Sequence, residues 1–261
     1  MAYISSEPIA TRWLLDSTGD AGRRAVRSVC MIVAKETGSK GTGFLLTTGH
    51  IMTAFHVIEG CSLANLRAIM SNGRVIKFKD VTYDPHKDLA VLKPSEKLEG
   101  GLEIHGEGDI KVGVQVYTWG YPLGYNGPAP LLTVGFLSGF IARRVNERVV
   151  VKHLVVNSAF NPGNSGGPLF VSGDDRVIGV VVSKHLPMPP FIKSAIEALR
   201  RNQTGVVFKA VNEKGEEITF VESQIVAEIL EYYRSLTQVV IGEAVAGSEV
   251  ISFLGEIGII P

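Results

Sequence analysis

Asn161-Pro-Gly-Asn-Ser-Gly-Gly-Pro168 sets one serine between glycines and leads it into the apolar run Leu169-Phe-Val171. The pattern suits a nucleophile on a tight turn, because glycine lets the backbone fold sharply and keeps Ser165 clear of neighbouring side chains. The N–H groups of Gly163 and Ser165 can then converge on one point, as an oxyanion hole requires. A serine hydroxyl is a weak nucleophile until an imidazole takes its proton. The imidazole in turn needs a carboxylate to fix its tautomer and stabilise its charged form. Upstream, Thr53-Ala-Phe-His-Val57 and Asp84-Pro-His-Lys-Asp-Leu-Ala-Val-Leu92 supply His56 and Asp88. The chain order His, Asp, Ser points to a double β-barrel rather than an α/β-hydrolase sheet.

Each assignment has rivals. His86 sits between Pro85 and Lys87, which suggests an exposed turn, and His50, His105, His153 and His185 show no metal-ligand spacing. Asp80 and Asp84 compete with Asp88 as the orienting carboxylate. Asp88 is preferred because Leu89-Ala-Val-Leu92 would carry it into a buried strand, where a carboxylate makes sense only if paired. Gly38-Ser-Lys-Gly-Thr-Gly43 has its Lys and Thr in the wrong order for a phosphate loop and reads as a hairpin. No metal or organic cofactor is implied.

The elements around these residues read as all-β. After a polar arm over 1–25, with Tyr3, Trp13 and Leu14 as apolar anchors, short apolar runs alternate with turn residues. Runs at 28–34, 43–47, 50–53, 65–70, 74–78 and 88–93 would build a first barrel within 26–105. Runs at 113–119, 131–137, 148–157, 168–171, 176–183 and 205–211 would build a second within 106–240. A helix is expected from Thr219 or Phe220 to about Leu236, with Thr219-x-x-Glu222 as its capping box, packed on the second barrel. Residues 186–202 read as a proline-rich loop and short helix that would either gate the cleft or decorate the surface. Residues 241–261 form an apolar tail that would add a strand, dock on a second subunit or stay free.

Composition fits a folded protein: 261 residues, 45% hydrophobic and 20% charged. Lys plus Arg equals Asp plus Glu at 26 each, so nothing favours nucleic acid or an anionic membrane. No apolar run approaches a membrane span, and residues 1–20 lack the pattern of a signal peptide. The expectation is therefore a cytoplasmic protein in which Cys30 and Cys61 are reduced thiols.

Taken together, Gly41-Thr-Gly-Phe-Leu-Leu46, Thr53-Ala-Phe-His-Val-Ile-Glu-Gly60, Asp88-Leu-Ala-Val-Leu-Lys93, Asn161-Pro-Gly-Asn-Ser-Gly-Gly-Pro-Leu169 and Val177-Ile-Gly-Val180 resemble a trypsin-like serine protease, specifically the HtrA (Deg) branch. The resemblance covers roughly residues 26–185. It implies a chymotrypsin-like double six-stranded β-barrel with a C-terminal helix. It also implies a serine endopeptidase acting on polypeptides through His56, Asp88 and Ser165. Val182, Ser183 and Lys184 would flank the pocket for the residue before the scissile bond, with Ala159 and Phe160 near its base. No acid stands at Ala159, so cleavage after small or medium apolar residues of unfolded proteins is expected. Asn164 replaces the aspartate that, in the digestive branch, pairs with a newly cut N-terminus, so zymogen cleavage is not expected. The family's common trimer, held by N-terminal aromatic residues, makes Tyr3 and Trp13 interface candidates. The PDZ domain that HtrA proteins commonly carry has no counterpart in this sequence. The competing reading is a non-catalytic, chaperone-like peptide-binding module on the same fold.

Overall fold

The alternating apolar runs fold as antiparallel strands in a computed structural model, which describes residues 7–146, 149–173, 176–184, 190–211, 215, 217–236 and 241–260. The chain divides into two compact units, residues 1–185 with 240–261, and residues 186–239. The first unit opens with helices α1 (Ile9–Asp16) and α2 (Asp20–Ser28). They replace the irregular arm expected there, because Thr11 and Leu15 lie one turn apart and bury together. Thr11 Oγ1 also donates to Ser71 O at 2.7 Å.

The first barrel-like sheet contains β1 (Val29–Ala34), β2 (Ser39–Leu45), β3 (Ile51–Ala54), the one-turn helix α3 (Phe55–Ile58), β4 (Leu66–Met70), β5 (Val75–Ile76), β6 (Phe78–Asp84) and β7 (Leu89–Pro94). The strand order is β5-β4-β1-β2-β3-β7-β6. It has seven strands rather than six because residues 75–84 divide between two neighbours. Ile69↔Val75 joins β5 to β4, while Asp84↔Leu89 joins β6 to β7. Ile32, Phe44, Ile51, Met52, Leu66, Ile76, Leu89 and Leu92 are fully buried within it.

The second sheet is a closed barrel of β8 (Gln115–Gly120), β9 (Leu131–Arg144), β10 (Val150–Val156), β11 (Pro168–Val171), β12 (Val177–Lys184) and a last strand from the C-terminal region. Between β12 and that strand lies the second unit: α4 (Pro190–Arg201), the hairpin β13 (Val207–Val211) and β14 (Glu217–Val221), and α5 (Glu222–Leu236). The barrel then closes with β15 (Gly242–Ala246), and α6 (Gly247–Glu256) is the C-terminal helix. The expected tail is thus the sixth barrel strand and a helix, and the run at 205–211 is a hairpin outside the barrel. Side chains explain the exchange. β15 is buried along its length, with Ala244 and Ala246 inside the barrel, whereas every residue of β13 is exposed.

Within the second unit, α5 starts at Glu222 and Thr219 belongs to β14, so the expected capping box does not form. Gln224 Oε1 caps instead, accepting from Val221 N at 3.1 Å. Arg200 of α4 pairs with Glu228 and Glu231 of α5, at 3.1 and 3.5 Å. Cys30 and Cys61 are both free, the first buried.

Candidate active site

The register of the first sheet brings His56 to Asp88. Ala54 of β3 sits opposite Leu89 of β7, so one step further Phe55 meets Asp88. Phe55 N donates to Asp88 O at 3.1 Å. The single turn of α3 then swings His56 over the carboxylate. Val57 and Ile58 anchor that turn in the core. Asp88 Oδ1 accepts from His56 N at 2.9 Å, and Asp88 Oδ2 lies 2.7 Å from His56 Nδ1. That contact assigns the Nδ1–H tautomer and leaves Nε2 to act as base.

Asp88 differs from its expected setting. It precedes β7 rather than lying in it, and its side chain is 30% exposed against 43% for His56. Its φ of +54° is the one positive value at a non-glycine among the described residues. Asp84 is occupied elsewhere, its Oδ1 accepting from His86 N at 2.8 Å and Lys87 N at 3.2 Å. His86 is exposed, as the turn around it predicts.

Ser165 follows a type II turn over Asn161–Asn164, closed by Asn164 N to Asn161 O at 3.0 Å. Gly163 takes φ +95° at the position that needs it, and a Cβ there would fall 2.3 Å from Tyr121 O. Pro162 O accepts from Leu123 N at 2.6 Å. Because N–H and C=O of a trans peptide point oppositely, Gly163 N–H is turned away from that contact. Asn164 O accepts from Gly167 N at 3.0 Å, which turns Ser165 N–H away in the same manner. Neither N–H has a hydrogen-bond partner among the described residues.

Thr42 of β2 ties this turn to the sheet that carries His56. Its Oγ1 donates to Gly163 O at 2.6 Å and accepts from Tyr121 N at 3.0 Å, and its N donates to Ser165 O at 2.8 Å. Thr53 Oγ1 donates to Thr42 O at 2.7 Å. Sequence reasoning assigned no role to Thr42 or Thr53. The only signal was their place in the Gly-Thr-Gly-Phe and Thr-Ala-Phe-His strings.

The serine hydroxyl does not reach His56. Ser165 Oγ donates to Val182 O at 3.2 Å, and His56 Nε2 has no hydrogen-bond partner among the described residues. Val182 is buried, as is Phe160, whose ring covers Gly242 so closely that a Cβ there would lie 2.1 Å from it. Ala159 is half-buried. Ser183 and Lys184 pair through the backbone with Glu243 and Gly242, and their side chains lie outside the described residues. Asn164 is buried, and its amide has no hydrogen-bond partner among the described residues.

The profile of the trypsin-like peptidase domain matches residues 41–180, which contain His56, Asp88 and Ser165. The chain belongs to the trypsin-like peptidase family. Its relatives are of DegP/HtrA type. A probable periplasmic serine endoprotease, DegP-like, of Halomonas elongata is 36% identical over 148 residues, covering 56% of this chain and 30% of the relative. Protease Do-like 1, chloroplastic, of Arabidopsis thaliana is 34% identical over 154 residues, covering 56% and 34%. The match thus spans about a third of the length of these relatives. Among solved structures, Deg5 superposes with a TM-score of 0.51 at 29% identity over 63% of this chain and 83% of that one. The active form of Rv3671c protease from M. tuberculosis superposes at 0.61 with 20% identity, over 98% and 89%, a likeness of fold. The relatives' names place them in periplasm and chloroplast, so a cytoplasmic location finds no support in them. No helix among the described residues is long and apolar enough to cross a membrane.

Proposed function

We propose that the chain is an HtrA-type serine endopeptidase in which His56, Asp88 and Ser165 form the catalytic triad. The observation that carries the reading is the 2.7 Å contact of His56 Nδ1 with Asp88, beside a serine turn whose two N–H groups are free among the described residues. His56 Nε2 takes the proton of Ser165, and Oγ attacks the peptide carbonyl. Gly163 and Ser165 N–H stabilise the oxyanion. His56 then protonates the leaving amine, and water activated by His56 clears the acyl-enzyme.

The substrate is a polypeptide cleaved after small or medium apolar residues, of the kind unfolded proteins expose. The buried ring of Phe160 against Gly242 supports a shallow pocket, and residues 182–184, beyond the β11 pairing that ends at Pro168↔Val180, leave an edge for an extended substrate. Assembly into a homo-oligomer, a trimer by resemblance, belongs to the same proposal. The ring of Trp13, 69% exposed on α1, supports it, while Tyr3 lies outside the described residues.

A second reading is favoured by one contact. Ser165 Oγ bound to Val182 O describes a resting, latent site, and a chain held there would act as a peptide-binding module. Labelling with a fluorophosphonate separates the two. The native chain should label, and Ser165→Ala and His56→Ala should not. Labelling that survives Ser165→Ala refutes the assignment. A native chain that stays silent, even with an unfolded protein present, favours the binding module.

A further inference from the structure

Asp88 meets His56 from a left-handed backbone conformation, which side-chain-bearing residues seldom adopt and which persists only where the surroundings over-determine it. The residue before it supplies such a constraint. Lys87 is only 11% exposed, and its Nζ lies 3.2 Å from Glu256 Oε1, 3.3 Å from Ser252 Oγ and 3.8 Å from Glu249 Oε2, all on α6. Ser252 Oγ donates to Glu256 Oε1 at 2.7 Å, and that bond, reinforced by Lys87, holds the Glu256 carboxyl below its ordinary range. The other end of the turn is fixed too, by Asp84 accepting from the His86 and Lys87 N–H groups.

The helix that receives Lys87 is itself fastened to the second barrel. Glu107 accepts from Ser248 N at 3.1 Å and Ser248 Oγ at 3.0 Å, in the first turn of α6. Lys152 of β10 donates its N–H to Glu249 Oε1 at 3.1 Å and its Nζ to Glu107 at 2.6 Å. Val250, Phe253 and Leu254 bury the inner face of the helix. α6 also follows directly from β15, the register partner of β12, whose Val182 carbonyl holds Ser165. One continuous path of bonded elements therefore joins the strand beside the nucleophile to the residue beside Asp88.

We propose that Lys87 is a positioning residue: by tying the 84–88 turn to α6 it holds Asp88 in the conformation that clamps His56. The inference rests on the reading of Asp88 as the carboxylate that orients the base. Loss of the tether lets Asp88 relax, and the imidazole loses the partner that favours its charged form. Charge alone predicts the opposite sign, since removing a nearby cation makes an imidazole easier to protonate.

The test is an NMR titration of the His56 ring in the full chain, paired with steady-state kinetics on the same variants. Lys87→Met should move the midpoint of the His56 ring titration to lower pH. Glu256→Gln combined with Ser252→Ala, which leaves the lysine charge in place, should move it the same way. The turnover number should fall on the order of tenfold, as misplacement of a reacting group by a fraction of an ångström does, with KM unchanged within about twofold. Lys87→Arg should recover most of the loss. A His56 pKa that is unchanged or raised in Lys87→Met overturns the proposal, even if the protein melts earlier. Should Lys87→Met fail to fold, the double variant on α6 decides by its kinetics, since loss of a carboxylate lowers an imidazole pKa by charge alone: a turnover number unchanged within about twofold overturns the proposal. Asp88→Asn is the reference. If it leaves the His56 pKa unmoved, the pairing of His56 with Asp88 fails, whatever Lys87 does.

Discussion

Thr42→Val isolates the connection between the two halves of the site, because the residues have nearly the same shape and differ in the hydroxyl. Thr42 is fully buried, and its Oγ1 holds Gly163 O at 2.6 Å and Tyr121 N at 3.0 Å. Valine would leave a buried acceptor and a buried donor without partners, at about 1–3 kcal/mol each. The expected loss is therefore about 2–6 kcal/mol, a large part of the roughly 5–15 kcal/mol that holds a typical domain together. Function should suffer more specifically. Gly163 O is fixed by that hydroxyl, and freeing it lets the turn that presents Gly163 N–H reorient. Turnover should drop on the order of ten- to a hundredfold. The assay pairs urea denaturation with turnover of an apolar peptide substrate under native conditions. Thr42→Ser is the control, since it keeps the hydroxyl and costs about 1 kcal/mol for the missing methyl group. If Thr42→Val retains both the wild-type unfolding midpoint and turnover within about twofold, the hydroxyl does not organise the site and the argument is wrong.

Asp88→Asn keeps the shape of the side chain but cannot stabilise a charged imidazole, so turnover should fall by about four orders of magnitude with little change in melting temperature. Phe160→Ala should admit larger apolar residues before the scissile bond, read from a peptide library, while lowering stability by about 3–5 kcal/mol as buried Phe truncations do; an unchanged preference would remove Phe160 from the pocket. Burial pushes the Glu107 carboxyl up, but Lys152 and the Ser248 N–H and hydroxyl outweigh it, and the net shift is downward. Such a group contributes stability above its unfolded pKa that is lost as pH falls through its folded value. Glu107→Gln should therefore flatten the acid side of the stability curve, measured by denaturation between about pH 5 and pH 2. Sedimentation of the native chain beside Trp13→Ala tests the proposed assembly, which is refuted if both run as monomers.

What was legible in the chain was what is local in sequence. The string around Ser165 contains its own turn chemistry, with Pro162 and Gly163 at the two central positions of a type II turn. His56 and Asp88 were found by short strings, and the strand pairing that joins them follows from the apolar runs on either side. What was missed is non-local or weakly patterned. Gly242-Glu-Ala-Val-Ala246 is too short and too poor in β-branched residues to announce a strand. It enters the barrel only because β10 and β12 leave a slot for small side chains. The intervening unit hides that closure, since its own helix reads as the natural end of the fold. Asp88 was expected to be buried on the strength of Leu89–Leu92, but the left-handed residue at the strand entry turns it outward. Aspartate enters that conformation more readily than most residues, but no local pattern marks Asp88 rather than Asp80 or Asp84 for it. The roles of Thr42 and Lys87 depend on partners between 79 and 169 residues away, which no local pattern reveals.

The serine contact sets a limit on how latent the site can be. A hydrogen bond between neutral groups contributes about 0.5–1.5 kcal/mol net, so the bond from Ser165 Oγ to Val182 O biases the hydroxyl away from His56 by roughly two- to tenfold at most. Any hydrogen bond gained with His56 Nε2 on turning reduces that further. The turned-in hydroxyl is then present in at least about a tenth of molecules, and the apparent rate of a reagent that needs it is scaled by that fraction. An isolated rotamer preference therefore predicts slow but complete fluorophosphonate labelling of the native chain, with no substrate present. It further predicts that an extended peptide able to donate an N–H to Val182 O would release the serine. A chain that stays unlabelled after many multiples of the expected half-time would rule out the Ser165 rotamer as the cause. The binding-module reading would then rest on another part of the site, the oxyanion turn or the His56–Asp88 pair, and no longer on that contact.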